Sequence, residues 1–374
     1  MRTFAYAMLR EIYEQPEAVR RTLAMYTEHG RLKEERWKGL TSWTSRSGEV
    51  LIAASGSSRH SGLAAEVMLE DLSGLAVDVE YASEYSCRGS EGSRFPSVIV
   101  LSQSGETSDT LAALRTASGK GQPTLAITNA PDSTMAREAT VSMPLGAGTE
   151  VAIPATKSFL CQLVVLYLLS LYEGEQRGTL ASTEVAARLV ELDALPAKLE
   201  AHLEAWERGM NSLAATYRDA STFLYLGRGV HYPIAREGAL KLKEASYVHA
   251  EGYPTGELKH GPNALVSERV PLVVLATVDH SLAASVLRYE KTLQLLEEMK
   301  AQGARVLAIA NQEDRAVKAL ATECVCVPPL SEHLLPMAEV VPLQLFSYFM
   351  ALQRGIDVDR PRNLAKAVIE SAAG

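Results

Sequence analysis

The sequence predicts an α/β fold of two doubly wound parallel-sheet domains related by internal duplication, followed by a C-terminal tail. Three observations lead there. Short apolar runs (EVLIAA, SVIVL, PTLAIT) alternate with helical segments, which is the pattern of βαβ units on a parallel sheet. The same grammar returns in the second half, where STFLYLGRG, VPLVVLATVD and RVLAIANQED echo EVLIAASGSS, SVIVLSQSG and TLAITNAPDS. Pairing Gly56 with Gly227 and Ala126 with Ala308 gives offsets that differ only by loop-sized insertions, which two copies of one domain tolerate. Finally, 374 residues at 47% hydrophobic suffice for two or three domains with sizeable cores.

In chain order, residues 1–30 are expected as an N-terminal helical segment. MLREIYEQPEAVRRTL is amphipathic and is broken at Pro16, which lacks the N–H that a helix interior needs. Residues 31–175 are assigned to the first domain. There EVLIAASGSS reads as a strand ending in a Gly/Ser turn before the helix AAEVMLEDL. SVIVL runs into SQSGETSDT and the helix TLAALRTA, and PTLAITN precedes the short helix STMAREA. Leu163 to Leu171 is apolar except at Ser170 and far shorter than the roughly 18 residues of a membrane span. It reads as a core or subunit-interface helix. The polar EGEQRGTLAS introduces a linker helix over 176–205, the second domain covers 206–350, and 351–374 form the tail.

Composition narrows the function. The net charge of −8 and the absence of Lys/Arg runs argue against nucleic acid, while a local site for a small anion stays open. Cys87, Cys161, Cys324 and Cys326 have no zinc spacing, and the last two alternate in a strand-like run as packed thiols. No signal peptide is visible, so a cytoplasmic location is expected, with no membrane partner.

The chemistry gathers in three places. LSQSGETSDT, from Leu101 to Thr110, ends a strand, turns at Gly105 and opens a helix near Thr107. Ser102, Ser104 and Thr107 offer hydroxyls and Gln103 an amide, at a helix N-terminus suited to an anion. A simple Ser/Thr cap and turn would use the same residues. Ser57 and Ser58, after the preceding strand, fall where an open α/β sheet lines the same crevice. Neither a Walker loop nor G-x-G-x-x-G with an acidic partner is present, so no dinucleotide cofactor is expected.

The second place is Ala235 to His260, AREGALKLKEASYVHAEGYPTGELKH. At about 100° per residue Glu237, Lys241 and Glu244 share one stripe, and apolar residues occupy most of the remaining circumference. Such a helix is expected to be buried, with its charges facing one another or a cavity, although a solvated i,i+4 pair fits the spacing too. His260, in GELKHGP, follows as an acid/base candidate. Third, the tail DVDRPRNLAKAVIE carries Lys366 in NLAKAV, read as a short helix. Lys366 is either a solvated lysine or, if the tail folds over the crevice, an amine able to form an imine with a sugar carbonyl.

ALKLKEASYVHAEGYPTGELKHGP, LSQSGETSDT, GTEVAIPATKSF, VPLQLF and DVDRPRNLAKAVIE together resemble the isomerase half of the glucosamine-6-phosphate synthases. That half consists of two sugar-isomerase (SIS) domains. The resemblance runs from REIYEQP to the end and implies a phosphorylated hexose or amino-hexose substrate; no metal is expected, since a positioned carboxylate with cationic and hydrogen-bond support can run an enediol-type proton shift. It implies a phosphate cradle of Ser58, Ser102, Gln103, Ser104 and Thr107, with Ser57 beside it. Glu244 is implied as the group that moves a proton between carbons 1 and 2, supported by Glu237 and Lys241. His260 is implied as the ring-opening histidine, shared across the subunits of a homodimer, and Lys366 as the Schiff-base lysine. Two departures stand out. The chain begins where the glutaminase domain of that family ends, and Arg2 rather than Cys follows Met1, so no built-in ammonia source is expected. IPATK stands where the family has VASTK, and Ala155 therefore brings no hydroxyl to the sugar.

These observations lead to an amino-sugar-phosphate isomerase/deaminase that interconverts glucosamine-6-phosphate and fructose-6-phosphate plus ammonia. The alternatives are the synthase reaction with ammonia from a separate glutaminase, a deglycase acting on a fructosamine phosphate, and a SIS protein that only senses a sugar phosphate.

Overall fold

The structure, a computed structural model, describes residues 3–43, 48–88 and 96–366. The chain opens with α1 (Ala7–Tyr13), α2 (Gln15–Tyr26), a small hairpin of β1 (Thr27–Glu28) and β2 (Arg31–Leu32), and α3 (Glu34–Trp37). The break falls at Glu14, one residue before α2. Pro16 then sits in the first turn of α2, where a missing N–H costs nothing.

The first sheet follows as β3 (Glu49–Ala54), α4 (Gly56–Ser73), β4 (Ala76–Tyr81), α5 (Ala82–Cys87), β5 (Val98–Ser102), α6 (Ser108–Gly119), β6 (Thr124–Thr128), α7 (Thr134–Glu138) and β7 (Val141–Pro144). Its five strands are all parallel, in the order β4-β3-β5-β6-β7. The central strands are buried along their whole length, so both faces are covered and the sequence reads as unbroken apolar runs. On one face Leu51, Val98, Val100 and Ala126 pack with Leu111 and Leu114 of α6.

Helix α8 (Lys157–Arg177) is buried on every side through Gly174, and only residues 178–181 separate it from α9 (Ser182–Tyr217). The second sheet then repeats the first: β8 (Thr222–Gly227), α10 (Tyr232–Ser246), β9 (His249–Pro254), β10 (Leu272–Ala276), α11 (Ala283–Ala301), β11 (Val306–Asn311), α12 (Arg315–Leu320) and β12 (Glu323–Val327), with α13 (Leu335–Gln353) last. Its order is β12-β11-β10-β8-β9, again all parallel. The duplicated doubly wound α/β fold is thus present in both halves. Strand for strand, however, Gly56 pairs with Gly229 and not with Gly227. Both follow six-residue strands by two positions and hold φ of +54° and +59°, a region that favours glycine.

The chain forms two compact units. The N-terminal unit takes residues 15–150, 157–194 and 365–374, and the C-terminal unit takes 1–14, 151–156 and 195–364. Among the described residues, α13 alone is long and apolar enough to cross a membrane, and it is buried as a core helix. The reading of NLAKAV as a helix does not hold for the part described, because residues 363–366 form a turn and a bend. Residues 367–374 lie outside the described residues.

Candidate active site

Two groups of side chains carry the chemistry, one in each unit. In the N-terminal unit the chain leaves β3 toward β4 on one side and returns to β5 on the other. The crevice at such a reversal, beyond the carboxyl ends of the strands, is where open α/β sheets bind ligands. Three of the expected donors meet there. Ser102 Oγ lies 3.1 Å from Thr107 Oγ1, and Ser104 Oγ lies 3.5 Å from each of them. The Gly105 and Glu106 N–H groups donate to Ser102 and Ser104 at 3.1 and 3.2 Å, which fixes the turn. Gln103 anchors it from behind, its carbonyl accepting from the Asn129 N–H at 3.1 Å and the Thr128 hydroxyl at 3.3 Å. The turn delivers Thr107 as the N-cap residue of α6. Neutral hydroxyls beside a helix N-terminus form a set of donors that an anion satisfies without a buried counter-charge.

Gly105 is essential to that shape. It sits at φ +65°, and a Cβ there would overlap the Ser133 side chain. Gly105→Ala should therefore destabilise the protein by about 2 kcal/mol or more, from left-handed strain and overpacking together. Chemical denaturation would measure it, and an unchanged midpoint would mean that the turn shifts freely.

Ser57 and Ser58 lie half-buried in the first turn of α4. Ser58 Oγ accepts from Gln162 Nε2 at 2.9 Å, and Gln162 Oε1 accepts from the Ser61 hydroxyl at 2.9 Å. Gln162, buried in α8, holds the candidate residue Ser58 in place, a contact that sequence reasoning missed. The signal was present, since a lone amide inside a helix buried all round must find polar partners.

Also in the N-terminal unit, Lys366 Nζ donates to Glu150 Oε2 at 2.8 Å. Glu150 is buried and is held by the Ser158 N–H at 3.1 Å and the Ser158 hydroxyl at 2.7 Å. The amine is thus an ion-paired group, 26% exposed, and neither freely solvated nor unpaired in an apolar pocket. Glu150 stands within GTEVAIPATKSF, where sequence reasoning gave it no role. Nothing local in a sequence marks a partner 216 positions away.

In the C-terminal unit α10 carries the charged stripe. The helix has His231 as its N-cap residue and Pro233 in its first turn, and it is closed by Tyr247 as C-cap in the left-handed region at φ +58°. The Tyr247 hydroxyl accepts the Arg362 N–H at 2.7 Å and the Arg362 guanidinium lies 4.3 Å from its ring centre, contacts that hold this strained cap. Asp359, further up the same tail, caps α1 by accepting the Ala7 and Met8 N–H groups at 2.6 and 2.9 Å. Within the stripe, Lys241 is 1% exposed and lies 3.4 Å from Glu237, itself wholly buried. Its ammonium also hydrogen-bonds Glu244. Glu244 alone of the three reaches the surface, at 21% exposure. A carboxylate anchored on one side by a buried ammonium and open on the other is placed to take and return a proton.

Two further expected residues come from other segments. His260 ends the short 3-10 turn Thr255–His260 and is exposed. The strand β9, not foreseen, separates it from the charged helix. Ala155 is half-buried in the segment 151–156 and offers no side-chain donor. Among the described residues no cluster of three or more His, Cys, Asp or Glu side chains is arranged to hold a metal.

Comparison with known proteins fits this arrangement. The SIS domain profile matches residues 45–172 and 216–354, one segment for each sheet. Among curated proteins, the glutamine–fructose-6-phosphate aminotransferase of Chlorobaculum tepidum is 42% identical over 372 residues, which are 98% of this chain and 58% of that protein. The enzyme of the same name from Thermus thermophilus is 42% identical over 369 residues, 98% of this chain and 59% of that one. The chain therefore spans a little under six-tenths of the length of these relatives. Among solved structures, the C-terminal domain of glucosamine-fructose-6-phosphate aminotransferase from Francisella tularensis superposes with a TM-score of 0.87 at 34% identity, covering 96% of this chain and 98% of that one. Glucosamine-6-phosphate deaminase from Thermotoga maritima shares the fold, with a TM-score of 0.71 at 21% identity over 97% of this chain and 99% of that one. Two matched segments on two copies of one parallel sheet place the chain in the SIS-domain family, as a tandem pair similar to the C-terminal domain of glucosamine-fructose-6-phosphate aminotransferase.

Proposed function

We propose that this protein is a sugar-phosphate isomerase that interconverts glucosamine-6-phosphate and fructose-6-phosphate with release or uptake of ammonia. The observation that carries the reading is the Lys241 ammonium held between Glu237 and Glu244, with only Glu244 open to a ligand. Proton transfer between carbons 1 and 2 needs one carboxylate that can take a proton from one carbon and return it to the next. Glu244 takes that role, and Lys241 and Glu237 position it. The sugar phosphate is bound by Ser58, Ser102, Gln103, Ser104 and Thr107, with Ser57 beside them, and its binding energy orients the reacting carbons. Lys366, oriented by Glu150, attacks the ketose carbonyl; the C=N bond forms and the carbonyl oxygen leaves as water. His260 opens the sugar ring and is supplied to a neighbouring subunit of a homodimer.

The direction is the finer point. The names of the relatives support a second reading, amination of fructose-6-phosphate with ammonia from a glutaminase. Incubation of the purified protein with glucosamine-6-phosphate should release fructose-6-phosphate and ammonia, read by a coupled enzymatic assay. Incubation with fructose-6-phosphate and ammonium salt should yield glucosamine-6-phosphate. Product in only one arm assigns the direction, and silence in both overturns this reading and leaves a fructosamine-phosphate deglycase or a sugar-phosphate sensor.

A further inference from the structure

The two sheets are copies, so their crevices can be compared position by position. In the N-terminal unit the crevice between β3 and β5 is lined by hydroxyls, and a Cβ on Gly56 would meet open space. The matching crevice of the C-terminal unit lies between β8 and β10, with residues 228–231 after one strand and 277–282 after the other. It is not open. A Cβ on Gly229 would come within 2.8 Å of the Arg288 side chain, which lies over the turn.

What Arg288 holds there is a carboxylate of the chain itself. Glu332, from the segment between β12 and α13, is 1% exposed. Its Oε1 accepts from Arg288 Nε at 2.9 Å and from Arg288 Nη2, and its Oε2 accepts the Ser285 hydroxyl. His231 Nε2 lies 3.5 Å from Oε1. Ser285 and Arg288 belong to the first two turns of α11, as Ser108 and its neighbours belong to those of α6. The Glu332 N–H donates to Asp279 Oδ2 at 3.1 Å, which pins the backbone that carries the carboxylate.

Behind it, His231 Nδ1 lies 2.8 Å from Glu339 Oε1, which also accepts the Thr277 hydroxyl. Burial alone would lower the pKa of His231, but the Glu339 and Glu332 carboxylates more than offset it and raise it to about 10. Burial likewise pushes Glu332 up, yet His231, Ser285 and Arg288 hold it down to about 2. At neutral pH the crevice therefore contains a charged carboxylate on a charged imidazolium and guanidinium.

We propose that this crevice is a second anion site, which the chain occupies with its own carboxylate. Glu332 stands where an external anion would bind, so the C-terminal unit takes no sugar phosphate of its own. The bound carboxylate also fixes His231, the N-cap residue of α10, and so positions the helix that carries Glu237, Lys241 and Glu244. The inference rests on the duplicated fold and on these contacts, and it stands whichever reaction the protein catalyses.

Removing the carboxylate should empty the site and let a small anion replace it. Glu332→Ala should melt about 10 °C or more below the wild type, because a buried imidazolium and a half-buried guanidinium lose a shared partner. Sodium formate, acetate or phosphate should restore several degrees to the variant while shifting the wild type far less. Preference for a carboxylate or for phosphate then reports which anion shape the crevice fits. An equal response of variant and wild type to all three salts would overturn the proposal. Glu332→Gln keeps the volume and the Ser285 contact, so it covers the case in which the alanine variant fails to fold. It should also melt well below the wild type, and a glutamine variant as stable as the wild type would equally overturn the idea.

Discussion

Glu244→Gln should lower kcat by about 10²- to 10⁴-fold, the usual share of a positioned general acid–base group. Affinity for an unreactive hexitol phosphate should stay within a few-fold of the wild type. The amide has nearly the volume of the carboxylate but cannot take a proton from carbon. The fold should tolerate the change, since Lys241 keeps Glu237 at 3.4 Å as its buried counter-charge. Glu237→Gln is the informative contrast. It removes the wholly buried partner, and breaking a buried ion pair typically costs about 3–5 kcal/mol, so stability as well as rate should fall. Steady-state rates and calorimetric affinity separate the two cases. If Glu244→Gln lost binding and turnover equally, its role would be to hold the ligand and not to move a proton.

The second large effect concerns Lys366. Wild-type protein mixed with fructose-6-phosphate and reduced with borohydride should gain a covalent adduct of the sugar phosphate, visible by mass spectrometry. The imine formed by loss of water is reduced to a stable secondary amine. Lys366→Met should show no adduct, because the only change is loss of the amine, and Glu150 keeps its two bonds from Ser158. Glu150→Gln should give less adduct than the wild type, since the amine loses the carboxylate that orients it at 2.8 Å. An adduct of undiminished yield on Lys366→Met would move the covalent chemistry to another lysine.

Much of this site could be read locally. The hydroxyl turn was legible because Ser102, Ser104 and Thr107 stand within six residues, between an apolar strand and a helix with Gly105 at the corner. The stripe was legible because 237, 241 and 244 recur at helical spacing. Its burial followed from the apolar residues around the rest of that helix. The capping tyrosine was not legible, because Tyr247 holds a left-handed conformation by means of Arg362, more than a hundred positions on. The repeat was seen in outline but paired two residues out of step at Gly227, since echoing residue types do not show which glycine has positive φ.

By itself, then, the sequence determined the alternation of apolar strands with helices, the duplication, the donor-rich turn and the charged helix face. All but the duplication are set by side-chain periodicity and turn chemistry over a dozen residues or fewer, and the duplication is the return of those local patterns in the second half. Only the tertiary structure decided which polar groups become partners: Glu150 with Lys366, Gln162 with Ser58, and Glu332 with Arg288, Ser285 and His231. A buried polar atom must find a counterpart wherever the packed chain supplies one, and that choice depends on distances between segments far apart in sequence.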